Sequence, residues 1–203
     1  VVVFDFKVIA HLIAGGIKLS CLNGNMVNLE TYTRACWAYK LNRGPHFLSI
    51  PNRGWRSIIV DDAKPYWRHH VCEEQKLPAY KGNRGSHTSD FKTICQIGYD
   101  YIKEANLPLF RQKLFEADDW AGAVHRLKLS AELNSVLNLR TVFLYTLDGD
   151  WMQLVSTRHK LLWANTAKWE PRLRGDKEVV AHTLAKSKVS ISRPSDLARV
   201  KYR

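Results

Sequence analysis

The chain has 203 residues and a mass of 23.4 kDa, which suits one domain with a substantial hydrophobic core. Its 31 lysines and arginines against 19 acidic residues give a net charge of +12, and this balance favours a polyanionic partner, either nucleic acid or an acidic membrane surface. No apolar run approaches the roughly 18 residues of a membrane-spanning helix, which argues against an integral membrane protein.

The first half of the chain alternates apolar runs with helical patterns. A β-branched run predicts a buried strand over Val1–Phe6, and the turn or short helix after it is expected to end at Gly15-Gly16. Apolar and aromatic residues at helical spacing predict a helix over Asn28–Leu41. A second buried strand over Ser57–Val60 runs directly into two aspartates.

The stretch from Pro65 to about Asp90 is basic and contains too few apolar residues to be a core segment. Two interpretations remain open: a solvated loop, or a basic arm that meets phosphates and offers aromatic side chains for stacking on bases. A helical pattern resumes at Asp90 and stops before Pro108.

The second half repeats the pattern of strands that end in acids. A third strand is predicted over Leu109–Phe115, leading into an acidic cluster and a helix that runs to about Leu133. A fourth strand over Thr141–Tyr145 leads into a further acidic pair. A short fifth strand over Lys160–Ala164 and a helix over Lys177–Ala185 precede a basic polar end.

Alternating strands and helices predict an α/β fold with a mainly parallel central sheet flanked by helices. In such a sheet the carboxyl ends of the strands form the ligand site, so the acids that follow the strands converge there. These acids are Asp5, Asp62, Glu116, Asp118, Asp119, Asp148 and Asp150. Because crowded carboxylates raise one another's pKa, divalent cations with hard oxygen ligands are expected between them. The pattern is typical of a two-metal site for in-line displacement at a phosphodiester.

Five segments of the chain, in family order, resemble the 5′-nuclease (flap endonuclease) family. That family includes the 5′-nuclease domain of bacterial DNA polymerase I and the phage 5′-3′ exonucleases, to which the likeness is closest. The segments are Val3-Phe4-Asp5; Val60-Asp61-Asp62-Ala63-Lys64 with Trp67-Arg68; Tyr80-Lys81-Gly82-Asn83-Arg84; Phe115-Glu116-Ala117-Asp118-Asp119; and Asp148-Gly149-Asp150-Trp151 with Gln153-Leu154.

The resemblance implies a PIN-like core with a helical arch. It also implies cleavage of DNA, and of RNA in RNA–DNA hybrids, at 5′ ends or flaps during DNA replication and repair. Two Mg²⁺ or Mn²⁺ ions would be bound by the seven acids, some through water, and the products would carry a 5′-phosphate and a 3′-hydroxyl. Lys81 would contact the scissile phosphate and act in catalysis with Asp5, Asp62, Asp118 and Asp148. The residues expected to bind nucleic acid are Arg68, Lys76, Tyr80, Lys81 and Arg84.

The chain departs from the family pattern at three places, one of which is the arch region, which is short and ends early between Arg84 and Asp90. Asp61 stands where the family usually has an apolar or aromatic residue. Gly175-Asp176 is not followed by the family's further aspartate, and the helix–three-turn–helix that clamps duplex DNA is not recognisable. We therefore expect a catalytic core over residues 1–165, with the arch region at about 65–106, and a truncated or divergent basic extension over residues 166–203.

Two other functions remain open on the sequence: a PIN-type ribonuclease and a non-catalytic nucleic-acid-binding module of the same fold. Four cysteines without a close pair indicate reduced thiols and a cytoplasmic protein, which would act in the host cytoplasm if it is phage-encoded. The balance of exonuclease and endonuclease activity, the preference for DNA or RNA, the grip on duplex and the oligomeric state are left open, as is whether the chain is full-length.

Overall fold

In the part of the chain that the structure describes, the central sheet contains six strands, and helices lie on both of its faces. The computed structural model describes residues 1–25, 28–43, 57–81, 85–129, 142–156, 159–163, 172–175, 177–181 and 192–196. The strands are β1 (Val2–Asp5), β2 (Ser57–Val60), β3 (Leu109–Phe110), β4 (Val142–Thr146), β5 (His159–Trp163) and β6 (Arg172–Arg174). The helices are α1 (Phe6–Leu22), α2 (Leu29–Arg43), α3 (Trp67–Glu74), α4 (Ser89–Glu104) and α5 (Ala117–Leu129).

The strand order across the sheet is β3-β2-β1-β4-β5-β6. The first five strands are mutually parallel, and β6 pairs antiparallel with β5. This confirms the predicted fold class. The chain builds the sheet outward from β1 to β3 and then returns to the other side of β1 with β4. Such a topological switch point opens a crevice at the carboxyl ends of the two strands, where ligands bind in α/β sheets.

Each central strand is buried on both faces because alternate side chains enter two separate cores. Phe4 and Tyr145 pack in the larger core beneath α1, α2 and α4. Val3 and Leu144 pack in the smaller core, together with residues of α5 and of the 3-10 helix Gly149–Leu154. This explains why the strands are continuous apolar runs and not alternating ones.

Two predicted boundaries are wrong. The third strand was expected to reach Phe115, but β3 ends at Phe110, and Leu114 has a positive φ of 79° that cannot continue a strand. The first helix was expected to end at Gly15-Gly16, but α1 continues to Leu22. A glycine inside a helix costs only about 1 kcal/mol, which the packing of the apolar face of α1 readily exceeds.

The remaining elements agree with the sequence in most respects. The basic stretch contains the short helix α3, which has no buried residue, and the fifth strand lies close to its predicted position. β6 was not predicted. Of the predicted helix Lys177–Ala185, residues 177–181 are helical and the rest lie outside the described residues. No helix within the described ranges is long and apolar enough to cross a membrane.

Gly98 of α4 carries a testable packing constraint. A Cβ atom at this position would lie 2.5 Å from two ring carbons of the buried Trp37. The ring cannot easily withdraw, since its Nε1 donates a hydrogen bond to the Ile94 carbonyl at 3.1 Å. Gly98→Ala should therefore lower the free energy of unfolding, because overpacking of about 1–3 kcal/mol exceeds a helix-propensity gain of about 1 kcal/mol.

Urea unfolding monitored by circular dichroism measures this change. Gly15→Ala in α1 is the matched control, since a Cβ there meets nothing within 4 Å. The control should be neutral or stabilising by up to about 1 kcal/mol. Equal effects of the two substitutions would contradict the close contact between Gly98 and Trp37.

Candidate metal centre and nucleic-acid interface

An open cleft of about 710 Å³ lies at the carboxyl ends of the central strands. Its lining includes five of the seven acids singled out in the sequence: Asp5, Asp62, Glu116, Asp118 and Asp148. These acids belong to different elements: Asp5 ends β1, Asp62 follows β2, and Asp118 lies in the first turn of α5. The parallel sheet thus gathers carboxylates that are more than a hundred residues apart in the chain.

Asp118, Asp148 and Asp150 form a close cluster. Each can offer one ligand atom such that all three lie within 4.8 Å of one another. The backbone explains part of this arrangement, because Asp148 caps the 3-10 helix and its Oδ1 accepts a 2.8 Å hydrogen bond from the Asp150 amide. Three carboxylate oxygens at this spacing match the donor set that hard divalent cations prefer.

Asp5, a buried residue of the cleft lining, is held by both of its oxygens. Oδ2 accepts a hydrogen bond of 2.9 Å from Thr146 Oγ1, and Oδ1 caps α1 by accepting one of 3.3 Å from the Val8 amide. Burial raises the pKa of this carboxyl to about 7, the two hydrogen bonds oppose the rise, and the charges of Asp62 and Asp118 add to it. Asp5 is therefore costly to ionise unless a cation lies beside it.

Asp118 is oriented by a buried tryptophan. Nε1 of Trp151, whose side chain is fully buried, donates a 2.7 Å hydrogen bond to Asp118 Oδ1. The pKa of Asp118 is raised by burial first and then by the charges of Asp148 and Asp62. Carboxylates that are oriented by donors and still disfavoured in the charged form are suited to a divalent cation, which stabilises the ionised state of all of them.

Glu116, which is 1% exposed, lies between cationic and phenolic side chains on one wall of the cleft. Lys81 and Arg68 both form ion pairs with its carboxylate, and the Tyr80 hydroxyl donates a hydrogen bond to it at 3.0 Å. Arg68 also pairs with Asp119 at 3.2 Å. Three of the five residues predicted to bind nucleic acid therefore gather around one carboxylate.

The other predicted residues lie differently. Asp119 does not line the cleft: its Oδ2 accepts a hydrogen bond from the Glu116 amide at 2.9 Å, at the start of α5. Lys76 is exposed beyond the end of α3, and Arg84 lies outside the described residues. The sequence offered no sign of the roles of Thr146 and Trp151 as donors to the acids, although both are close neighbours of Asp148 in the chain.

Comparison with known families gives a match over most of the chain. Residues 51–184 match the family model described as 5′-3′ exonuclease, N-terminal resolvase-like domain. No curated protein matches the sequence.

Solved structures of bacteriophage T5 proteins have a similar fold. The T5 5′-exonuclease with bound divalent metal ions (zinc) is 18% identical with a TM-score of 0.57, over 93% of this chain and 61% of that one. A T5 flap endonuclease complex with DNA and metal ions is 19% identical with a TM-score of 0.55, over 89% of this chain and 59% of that one. These identities support likeness of fold, and this chain spans about three fifths of the length of the T5 proteins.

The raised pKa of Asp5 predicts a pH-dependent stability in metal-free protein. An acid whose folded-state pKa exceeds its unfolded-state pKa favours folding at low pH, and this contribution is lost as the pH rises from about 4 to about 7. Asp5→Asn removes the titration. Its free energy of unfolding relative to wild type should therefore rise by a few kcal/mol across this window and then level off, since one pKa unit corresponds to about 1.4 kcal/mol.

Urea unfolding in EDTA between pH 4 and pH 8 measures the difference. Asp100→Asn, the same substitution at an exposed position of α4, is the control. A flat difference for Asp5→Asn would show that Asp5 ionises as readily in the folded as in the unfolded chain.

Proposed function

Because the chain belongs to the 5′-3′ exonuclease family, through its N-terminal resolvase-like domain, we propose that it is a divalent-metal-dependent nuclease that hydrolyses DNA at 5′ ends and flaps. The observation that carries the proposal is the cleft in which carboxylates from three strand ends and α5 meet Lys81. We assign the activity to residues 1–165 and treat residues 166–203 as a basic extension. RNA in RNA–DNA hybrids is a further proposed substrate.

The donor set of the cleft supports two Mg²⁺ or Mn²⁺ ions. Asp118, Asp148 and Asp150 would hold one ion, and their mutual spacing within 4.8 Å supports this assignment. The remaining cleft acids Asp5, Asp62 and Glu116 would hold the second, and Asp119 would take part through water. When bound, two such ions stabilise the attacking and leaving oxygens of a phosphodiester displacement that yields a 5′-phosphate and a 3′-hydroxyl.

Lys81 is the cation we assign to the scissile phosphate. In the structure its ammonium pairs with Glu116, a proposed metal ligand, so the carboxylate holds the lysine at the edge of the proposed centre. If Glu116 held a metal ion, Lys81 would be free to pair with a phosphate oxygen in place of this carboxylate. A positive charge held at this point stabilises the negative charge that develops in the transition state.

The wall beyond Lys81 offers a path for the 5′ strand. The Arg68 guanidinium carbon lies 4.7 Å from the centre of the Trp67 ring and 5.8 Å from that of Tyr80. Cations layered on aromatic rings bind backbone phosphates and stack on bases without sequence preference. We place Arg68, Tyr80 and Lys81 on this path, and extend it to Lys76 and Arg84.

Cleavage of a labelled 5′-flap duplex tests the proposed function directly. Wild-type protein should cut it with Mg²⁺ or Mn²⁺ and not in EDTA. Asp148→Asn should slow cleavage by on the order of a hundredfold or more with DNA binding retained, since even outer-shell partners of a metal contribute about 10–100-fold. Asp100→Asn is the control and should cut like wild type.

The same assay separates the alternatives. Cleavage restricted to single-stranded RNA would replace the proposal with a PIN-type ribonuclease. Binding of the flap without cleavage in any divalent metal would indicate a non-catalytic module of the same fold.

Lys81→Ala tests the role of the cleft lysine. We expect kcat to fall by about 10²–10³-fold, as when one preorganised donor to a developing anion is removed, while the affinity for Mn²⁺ measured by calorimetry is kept. Lys103→Ala, at an exposed position near the end of α4, should leave both quantities unchanged. An unchanged kcat for Lys81→Ala would remove this residue from the site.

A further inference from the structure

Asp61 is a buried carboxylate that is not among the proposed metal ligands. Its side chain is fully buried, and it is the neighbour of Asp62. The two side chains point to opposite sides, as successive residues of an extended segment do. Asp62 Oδ1 accepts a 2.8 Å hydrogen bond from the Ala117 amide at α5, whereas Asp61 Oδ2 accepts one of 2.6 Å from the Tyr99 hydroxyl of α4.

Two cations share the Asp61 carboxylate. Arg111 Nε donates to Oδ2 at 3.1 Å, and Lys7 Nζ lies 3.6 Å from Oδ1. Oδ1 has no hydrogen bond among the described residues. One negative charge therefore faces two positive ones, and the cluster of Asp61, Lys7 and Arg111 retains an excess of one positive charge.

The aromatic ring of Tyr99 fixes the geometry of this pair. Arg111 lies 5.1 Å and Lys7 6.0 Å from the centre of the ring, and Phe6 stacks on it at 4.4 Å with an interplanar angle of 1°. Asp61 and Tyr99 together thus orient two long cationic side chains before any ligand arrives. Such preorganisation reduces the side-chain entropy lost on binding.

Both cations face the cleft. Lys7 and Arg111 line it together with Asp5 and Asp62, and their side chains are 28% and 47% exposed. His11 and Lys92 line the cleft as well. Lys7 is two residues from Asp5 in the chain, so this basic wall borders the proposed metal centre directly.

We propose that Lys7 and Arg111, positioned by Asp61 and Tyr99, form a phosphate-binding subsite for a phosphate of the nucleic-acid strand other than the one that is cut. The proposal rests on the proposed function in that the strand enters this cleft. An excess positive charge shared by two oriented cations suits a 5′-terminal phosphate, which carries a charge near −2, and it can also accept an internal phosphodiester.

Binding of oligonucleotides in EDTA tests the subsite without any cleavage. The probes are 3′-labelled single strands with either a 5′-phosphate or a 5′-hydroxyl. Lys7→Gln and Arg111→Gln should each weaken binding of the phosphorylated strand about tenfold and lower the salt dependence by about 0.7 in log K per log salt. Lys18→Gln, an exposed position of α1, is the control of equal charge change and should show neither effect.

Asp61→Asn separates positioning from net charge. The substitution makes the protein more positive, so electrostatics alone predicts tighter binding. If the subsite exists, binding should instead weaken, because Lys7 and Arg111 lose the carboxylate that orients them. Tighter or unchanged binding would overturn the proposal. Thermal melts confirm that each variant is folded, and Arg111→Gln, whose side chain is half exposed, carries the test if Lys7→Gln does not fold.

The two probes distinguish the source of the phosphate. A loss confined to the 5′-phosphorylated strand assigns the subsite to the terminal phosphate, and an equal loss on both strands assigns it to an internal phosphodiester. If Lys7→Gln and Arg111→Gln bind the oligonucleotides as Lys18→Gln does, the subsite is refuted even if the protein cuts flaps. Conversely, a protein with the expected binding losses that cuts nothing would refute the proposed nuclease and retain the subsite.

Discussion

The burial and crowding of carboxylates at the switch point between β1 and β4 is the constraint on which this structure depends. The parallel sheet delivers acids to one cleft, and burial alone already disfavours the charged forms of Asp5 and Asp118. Two of these acids have fixed hydrogen-bond donors: the Thr146 hydroxyl donates to Asp5, and the Trp151 indole N–H donates to Asp118. These donors orient the acids without neutralising them. A bound cation would stabilise the charged carboxylates of such a cleft, which is the physical basis of a metal site.

Some of the excess basic residues of the chain lie beside this cleft, and others lie elsewhere on the surface. On one wall Glu116 gathers Lys81 and Arg68, and on another Asp61 gathers Lys7 and Arg111. In both clusters a buried acid fixes two long cationic side chains whose other surfaces reach solvent. A polyanion that enters such a cleft would meet the groups proposed to bind phosphate already in place, next to the carboxylates proposed to hold the metal.

The sequence predicted five of the six described strands, the sheet type and the five acids that line the cleft among the seven it singled out, because each depends on short patterns or on motifs known from a family. It could not predict contacts between distant residues. Asp61 stood out only as a departure from the family pattern, since its partners Tyr99 and Arg111 lie 38 and 50 residues away. The early end of β3 and the continuation of α1 through Gly15-Gly16 were missed for a related reason: tertiary packing overrides local preference at both places.

The hydrogen bond from Trp151 to Asp118 has a spectroscopic consequence. The energy of an indole's excited state depends on the electric field along the ring, so a carboxylate that gains or loses a counter-charge 2.7 Å from Nε1 shifts the emission of that tryptophan. Trp37 donates its N–H to a backbone carbonyl in the opposite core and should be indifferent to the same event. The protein thus contains an intrinsic fluorophore at its cleft and an internal reference within the same fold.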